Sequence, residues 1–392
     1  MNKKILTRYL FIPLLLSFLA GVSPGNAQEQ FRISHGPYLQ AMTDSSITIV
    51  WTTNKPATAW VELAPDDGSH FYKEERPKYY SASNGLKNVG TVHRVNLKNL
   101  KPATRYRYRV YSQEVLSHEF VYVQYGKVVA TAIYRARPLY FTTPGKPGPF
   151  GFAVVNDIHE RSNVLKQLLS HVLPDSLNFV VFNGDMVNAS HNETQVFAGF
   201  MDTAIALFAR ETPLYYSRGN HETRGPFAAA FADYFPGIGN CLYYMFTRGD
   251  ACFIVLDSGE DKPDSDIEYS GITQMDEYRT EQVEWLKKTV QTDAFKKAKY
   301  KIVICHIPPA KGWHGNVDIT QKWLPVLNKA GVNLLIAAHE HRHRIQQPSD
   351  EVRFPIIVNS NNNIIKATIS EKEARFRVLD TTGKKVDELV IP

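Results

Sequence analysis

Five short apolar runs in the second half of the chain each end next to residues that can bind a metal. The runs cover residues 150–156, 179–183, 213–217, 301–305 and 332–338. Helix-like stretches lie between them at 163–171, 194–210, 281–290 and 320–330. Continuous apolar runs of strand length that alternate with helices are typical of buried strands in an α/β layer. The second half is therefore predicted to form an α/β domain.

The first third of the chain follows a different period. Short segments rich in β-branched and aromatic residues, at 46–52, 59–63, 94–97 and 106–111, alternate there with turn-forming residues. A period of two predicts strands, and the spacing of the turns predicts an antiparallel β-sandwich of roughly a hundred residues. A further hairpin is predicted at 120–134.

The stretch 144–149 alternates proline and glycine, and it can continue neither a helix nor a central strand. We interpret it as a linker. A chain of 392 residues also exceeds a typical single core. Two domains are therefore predicted, an all-β sandwich at 28–146 and the α/β domain at 147–392. Trp51 falls on an alternating strand position of the first domain and is expected in its core.

The start of the chain has the pattern of a signal peptide. Basic residues precede an apolar run at 9–22, and Gly25, Asn26 and Ala27 follow it. This pattern predicts cleavage after residue 27 and export to the periplasm or beyond. The alternative is a retained membrane anchor, but the run is shorter than the ~20 apolar residues that a spanning helix needs. No stable membrane anchor is expected after cleavage.

Removal of residues 1–27 takes away three basic and no acidic residues, so the net charge falls from +6 to +3. No block of lysine and arginine remains, and no nucleic-acid partner is expected. No oligomeric state is predicted.

The three cysteines, Cys241, Cys252 and Cys305, are predicted to be free thiols. A bridge between Cys241 and Cys252 is the alternative. A tight turn at Gly249 and Asp250 would instead place Cys252 opposite Thr247 and leave Cys241 further along the strand.

The residues that follow the five apolar runs form one candidate metal site. In an open α/β sheet, ligands bind beyond the carboxyl ends of the strands, so residues far apart in sequence can meet there. A pair of metal ions ~3.5 to 4 Å apart needs seven or eight protein contacts and a bridging carboxylate, for which Asp185 is suited. Imidazole, carboxylate and amide ligands together favour Fe, Zn or Mn. The candidate ligands are Asp157, His159, Asp185, Asn220, His306, His339 and His341.

The ordered series Asp-x-His, Gly-Asp, Gly-Asn-His-Glu, His and His-x-His resembles the calcineurin-like metallophosphoesterases over residues 150–341. Residues 36–40 resemble the start of the N-terminal domain of purple acid phosphatases, and residues 97–110 resemble a corner of fibronectin type III domains. The resemblance implies a β-sandwich flanked by helices for the second domain, and a fibronectin type III-like sandwich for the first.

The resemblance also implies a division of the ligands. One metal would be held by Asp157, His159, Asp185 and His341, and the other by Asp185, Asn220, His306 and His339. His221 would remain unligated and face the phosphate as the catalytic residue, and His314 would contact the substrate.

Two positions depart from the family pattern. Ala338 stands where a glycine is usual, and only a slight change in backbone packing is expected from it. Asn188 stands where the purple enzymes have a tyrosine ligand. His159 is expected to take the place of that tyrosine, so the tyrosinate-to-iron colour should be absent.

The predicted function is metal-dependent hydrolysis of small phosphate esters, with monoesters as the expected substrates. A hydroxide shared by the two metals would attack phosphorus, and His221 would protonate the leaving group. A phosphodiesterase or nucleotidase with the same metal site is one alternative. The other is an exported binding protein with an inert phosphatase-like domain. His343, between Arg342 and Arg344, is expected to be solvated.

Overall fold

The alternating segments of the first third form antiparallel strands, as predicted. The structure, a computed structural model, describes residues 29–131, 136–145, 148–173 and 177–392. The N-terminal strands are β1 (Ile33–Gln40), β2 (Ile47–Pro65), β3 (Lys78–Tyr80), β4 (Ala82–Ser83), β5 (Leu86–Lys87), β6 (Gly90–Leu97), β7 (Arg105–Glu119), β8 (Tyr122–Ala130) and β9 (Leu139–Thr142).

Two predicted features lie outside the described residues. One is the signal peptide at 1–27, and the other is the domain boundary between residues 146 and 147. Both stay predictions. Within the described ranges, no helix combines the length and the apolar character that crossing a bilayer requires.

Strand β2 organises the N-terminal region because it pairs with β1, β3, β6 and β7 along its length. Trp51 on β2 is fully buried, as predicted, and its Nε1 donates a hydrogen bond to Ser112 Oγ at 2.8 Å. The hairpin predicted at 120–134 is wrong. Residues 122–130 are instead one strand, β8, which pairs with the end of β7 through a turn at Phe120 and Val121.

The second half alternates strands and helices. Its strands are β10 (Phe150–Val155), β11 (Phe179–Asn183), β12 (Leu214–Ser217), β13 (Tyr244–Arg248), β14 (Ala251–Val255), β15 (Tyr300–Ile304), β16 (Leu334–Ala337), β17 (Arg344–Gln346), β18 (Ile356–Val358), β19 (Asn363–Ile369), β20 (Ala374–Asp380) and β21 (Lys385–Ile391). Its α-helices are α1 (Ser162–Ser170), α2 (Glu193–Val196), α3 (Asp202–Ala204), α4 (Phe231–Tyr234), α5 (Met275–Thr289), α6 (Asp293–Lys297), α7 (His314–Lys322) and α8 (Leu324–Ala330). Two π-helical stretches, Phe197–Met201 and Ile205–Ala209, extend α2 and α3 into the single helical segment predicted at 194–210.

The strands of the second half belong to two sheets packed face to face. One sheet has the order β21-β20-β19-β10-β11-β12, and the other has the order β13-β14-β15-β16-β18-β17. Phe152 and Phe179 stack at 4.7 Å on the first sheet, and Phe253 of the second sheet contacts both edge-on. The alternate residues Ala153 and Val155 pack instead against the helices on the outer face. The predicted β-sandwich flanked by helices is therefore confirmed.

The first sheet continues into the N-terminal region. Strand β12 pairs in parallel with β1, where Gln40 lies opposite Leu214. The hydroxyl of Tyr215 donates to the carbonyl of Met42 at 2.5 Å, and the hydroxyl of Tyr108 donates to the carbonyl of Arg210 at 2.6 Å. The N-terminal strands thus share a sheet with the strands that lead to the candidate metal ligands.

The three cysteines are free. The predicted hairpin at Gly249 and Asp250 joins β13 to β14, and Cys252 lies opposite Thr247 as expected. This register leaves Cys252 without a cysteine across the strand, which is why the alternative bridge does not form.

A buried arginine ties helix α5 to the loop that follows β14. The Arg279 guanidinium is fully buried, and its Nη1 donates to the carbonyls of Ser258 and Glu260 at 2.9 and 3.0 Å. Its Nε donates to Asp318 Oδ2 on α7 at 2.6 Å. One side chain therefore fixes two helices and a loop that borders the candidate site.

Replacement of Arg279 by methionine should lower the free energy of unfolding by about 3 kcal/mol, because Asp318 and two carbonyls would lose a buried partner. Urea denaturation of the Arg279→Met protein measures this loss. The exposed Arg353→Met protein is the matched control and should stay close to the unaltered protein. Equal stability of the two variants would show that the Arg279 network adds little.

Candidate metal centre

The ends of five strands meet at one edge of the two-sheet sandwich. Asp157 and His159 follow β10, Asp185 follows β11, and Asn220 follows β12, all in the first sheet. The ligands on the second sheet are His306 after β15 and the pair His339 and His341 after β16. The structure groups the possible ligand atoms of Asp157, His159 and His341, of His159, Asp185 and His221, and of Asp185, His306 and His339, each group within 4.8 Å. All seven predicted ligands therefore lie in one cluster, with Asn220 joined through His339.

Asp185 occupies the centre of this cluster. Its Oδ2 lies 3.0 Å from Nε2 of His306 and 3.9 Å from Nε2 of His221. Its Oδ1 accepts a hydrogen bond from the backbone N–H of His221 at 2.9 Å. A carboxylate placed between two groups of imidazoles has the position that a bridging ligand requires.

The remaining contacts extend to both sides of Asp185. Asp157 Oδ1 lies 3.2 Å from Nε2 of His341, which is itself 3.1 Å from Nε2 of His159. On the other side, Nδ1 of His339 lies 3.1 Å from Oδ1 of Asn220. Ligands bound ~2.1 Å from a common ion are separated from one another by about 3 Å. The observed spacings fit that arrangement.

Two buried atoms in the cluster suit a cation. Among the described residues, Asp157 Oδ1 and His306 Nε2 are buried and meet no hydrogen-bond geometry. The Nδ1 of His306 lies 2.7 Å from the carbonyl of Asn183, which can only accept, so the proton of the neutral ring is on Nδ1. Its Nε2 then directs a lone pair at the Asp185 carboxylate, an arrangement that a positive ion between them would stabilise. The residues present thus fit a metal pair.

The electrostatics of the histidines point in the same direction. Burial opposes protonation of His306, but the carboxylates of Asp185 and Asp157 outweigh it and raise the pKa of His306 to about 10. Burial would also raise the pKa of Asp185, yet His306 and His221 hold it below its ordinary value. Burial and the adjacent His306 lower the pKa of His339 to about 4. A positive charge close to Asp157 and Asp185 is therefore stabilising, whereas the His339 imidazole favours its neutral form.

The backbone at the strand ends is strained. Five of the seven predicted ligands have φ in the left-handed region, namely Asp157 (50°), His159 (47°), Asp185 (54°), His339 (72°) and His341 (56°). This conformation is uncommon for residues other than glycine and costs of order 1 kcal/mol or more at each position. Such a concentration of strain at one edge is characteristic of functional sites.

Two glycines of the motifs permit close approach of the strand ends. A Cβ atom at Gly184 would lie 2.5 Å from Nδ1 of His306, and one at Gly219 would lie 2.3 Å from Oδ1 of Asp185. Any larger residue at either position would displace a predicted ligand.

Glu222 accepts hydrogen bonds from the turns that carry the cluster. Sequence reasoning missed this role, although the residue belongs to the Gly-Asn-His-Glu motif. Its carboxylate is buried and accepts from the backbone N–H groups of Asp185 and Gly219, both at 2.9 Å, and of Met186 at 2.7 Å. The Tyr216 hydroxyl donates to it as well, at 2.9 Å. Glu222 therefore holds the turns that carry Asp185 and Asn220.

Asn156 and Asn359 form a second support that sequence reasoning missed. Asn156 Nδ2 donates to Asp157 Oδ2 at 2.7 Å, and Asn359 Nδ2 donates to Asn156 Oδ1 at 2.7 Å. Asn359 follows β18 directly, so the rule that identified the five other strand ends could have found it.

His221 lies at the side of the cluster and is only partly exposed. Its Nδ1 lies 2.5 Å from the carbonyl of Asn188, which makes Nδ1 the protonated nitrogen. The Asn188 backbone N–H and side chain both donate to Glu160 Oε1, at 2.9 and 3.1 Å. Asn188, at the position of the family's tyrosine, thus orients His221 through its backbone.

The two other histidines singled out in the sequence lie in different surroundings. His314 begins α7, and its Nε2 lies 2.7 Å from Oδ1 of Asp276; it is absent from the groups around Asp185. Its substrate contact stays a prediction. The expectation of a solvated His343 is wrong. Its side chain is 11% exposed and its Nε2 lies 3.1 Å from Oδ2 of Asp387, a strand residue that the local sequence could not indicate.

Comparison with known proteins places this architecture among phosphoesterases. Residues 150–343 match the family described as calcineurin-like phosphoesterase, and residues 36–123 match the purple acid phosphatase N-terminal domain. Two uncharacterized proteins of Mycobacterium tuberculosis, from different strains, are 25% identical over 310 residues, which is 71% of this chain and 56% of each relative. The chain thus spans little more than half the length of these curated relatives. A purple acid phosphatase from yellow lupin (Lupinus luteus) seeds is similar in fold, with a TM-score of 0.65, 16% identity, and coverage of 91% of this chain and 73% of the lupin chain.

Replacement of Glu222 by glutamine should lower the free energy of unfolding by about 2 to 4 kcal/mol, because an amide N–H₂ would face backbone N–H groups that need an acceptor. Chemical denaturation measures this difference, with the exposed Glu75→Gln protein as the matched control. A Glu222→Gln protein as stable as the control would contradict the supporting role.

Proposed function

We propose that this chain, a member of the calcineurin-like metallophosphoesterases, hydrolyses phosphate monoesters with two metal ions. A purple acid phosphatase N-terminal domain precedes its metallophosphoesterase domain. The observation that carries the proposal is the convergence of six histidine, aspartate and asparagine side chains around Asp185. Among the described residues, Asp157 Oδ1 and His306 Nε2 are buried there without a hydrogen-bond partner.

The ligands divide into two sets that share Asp185. Asp157, His159 and His341 lie on one side, and Asn220, His306 and His339 lie on the other. Such mixed oxygen and nitrogen donors suit Fe, Zn or Mn. When bound, the two cations supply activation of the attacking water and polarisation of the phosphate ester.

His221 is proposed as the residue that acts on the leaving group. With Nδ1 held by the Asn188 carbonyl, the ring presents Nε2 on the side of Asp185. A protonated ring carries an Nε2–H that can donate to a phosphate oxygen and then transfer its proton to the departing alkoxide. The neutral ring presents only a lone pair there, so the protonated form is the competent one.

Monoesters are proposed as the substrate class because the N-terminal match carries the name of the purple acid phosphatases. His341 is 46% exposed, so the cluster is open to solvent on its side. A small ester can approach the cluster and the partly exposed His221 from there. Export after cleavage behind residue 27 is likewise proposed, with a small phosphate ester as the partner and no membrane anchor in the mature chain.

Replacement of Asp185 by asparagine should abolish binding of both metals, because both ligand sets lose their shared carboxylate. The His221→Ala protein should retain two metals per chain and lose about 10²- to 10⁴-fold in turnover, the usual contribution of a general acid. Elemental analysis together with single-turnover rates measures both effects. Metal loss in His221→Ala with retention in Asp185→Asn would reverse the two roles.

A matched pair of chromogenic esters tests the reaction itself. We expect the aryl phosphate monoester to be hydrolysed at least about tenfold faster in kcat/KM than the corresponding diester, with activity removed by a chelator and restored by added Fe, Zn or Mn. Preference for the diester would favour the phosphodiesterase alternative. No metal-dependent hydrolysis of either ester would favour a binding protein with an inert phosphatase-like domain.

A further inference from the structure

A cavity of about 630 Å³ lies between helices α5, α6, the end of α7, α8 and the start of β15. Five lysines line it, and none of the described residues that line it is acidic. The lysines are Lys287, Lys296, Lys301, Lys322 and Lys329. Like charges gathered around one space repel one another, so this wall has a positive potential that an anion would relieve.

The floor of the cavity is apolar. Val283 of α5, Val290 directly after α5 and Phe295 of α6 are buried there, and the partly buried Val326 of α8 also lines the cavity. Lys301 extends over the Phe295 ring, with its Nζ 5.5 Å from the ring centroid. The cavity therefore combines an apolar base with cationic walls.

Two of the lysines have carboxylate neighbours outside the lining. Lys287 Nζ lies 2.7 Å from Glu284 Oε1, and Lys322 Nζ lies 2.8 Å from Asp318 Oδ2. Among the described residues, no carboxylate lies within salt-bridge distance of Lys296, Lys301 or Lys329. Three positive charges at the cavity are thus available to a ligand.

The cavity is distinct from the metal centre. Lys301 is the second residue of β15, whereas His306 lies beyond the carboxyl end of that strand. They are five residue steps apart along the chain, and the first three steps follow the extended strand, which alone spans about 10 Å at ~3.3 Å per residue. A ligand in the cavity would therefore not compete with a phosphate ester for the metals.

We propose that this cavity binds a small organic anion with an alkyl body and a carboxylate or phosphate head. Its volume lies within the ~300 to 1,000 Å³ typical of small-molecule sites. The apolar floor would bury the alkyl body, while Lys296, Lys301 and Lys329 would contact the head. An inorganic anion would make no apolar contact with the floor. An uncharged alkyl compound would leave the lysines without a negatively charged partner.

Isothermal titration calorimetry with decanoate and decylphosphonate tests the proposal, since one carries a carboxylate head and the other a phosphate-like head that cannot be hydrolysed. We expect one-to-one binding of at least one of them, at least about tenfold tighter than decanol, acetate or inorganic phosphate. The tighter of the two anions identifies the head group. Decanol binding as tightly as both anions, or acetate or phosphate binding as tightly as the better one, would overturn the proposal.

Charge variants locate the binding. The double variant Lys296→Gln, Lys329→Gln should weaken the Kd for the preferred anion at least about tenfold. The matched control is Lys288→Gln, Lys372→Gln, which removes the same charge from exposed lysines outside the cavity and should bind as the unaltered protein does. Equal loss in both variants, or no loss in either, would overturn the proposal. All three proteins should hydrolyse the chromogenic monoester equally, which checks their folding separately from the binding result.

Discussion

Two carboxylates buried at one edge of the two-sheet sandwich, Asp157 and Asp185, set the main energetic constraint on this molecule. Removing a carboxylate from water costs several kcal/mol unless positive charge and hydrogen bonds replace the lost hydration. The protein surrounds both groups with imidazoles, and the two carboxylates raise the pKa of His306 because they stabilise a positive charge. Metal ions satisfy the same demand while leaving the imidazoles neutral. The chemistry proposed for the site follows from this requirement.

The same requirement explains the irregular backbone around the site. A regular strand would direct successive side chains to opposite faces of the sheet. The left-handed residues Asp157, Asp185 and His339 break that alternation where the strands end. Gly184 lets the two sheets approach closely enough for His306 to reach Asp185. Glu222 then anchors the turns through four hydrogen bonds. Strain and support are thus concentrated where the carboxylates lie.

Local patterns predicted much of this structure, because apolar runs and the polar residues after them are properties of neighbouring positions. They identified the five strands that lead to the site and the seven candidate ligands at their ends. The local patterns could not predict which strand belongs to which of the two sheets. His306 contacts Asp185 only because one sheet packs on the other. The contacts of Glu222, Asn359 and His343 also depend on partners distant in sequence. The turn after β7 was misplaced because the exposed Phe120 and Val121 resemble strand residues.

The pairing of β12 with β1 makes the N-terminal region part of the sheet that carries the site. A chain without the N-terminal strands would expose the free edge of β12, and the Tyr215 hydroxyl would lose the Met42 carbonyl as its acceptor. Unprotected edges of this kind recruit strands from other molecules and promote aggregation. The N-terminal strands therefore cover an edge of the sheet that would otherwise be free to pair with other molecules.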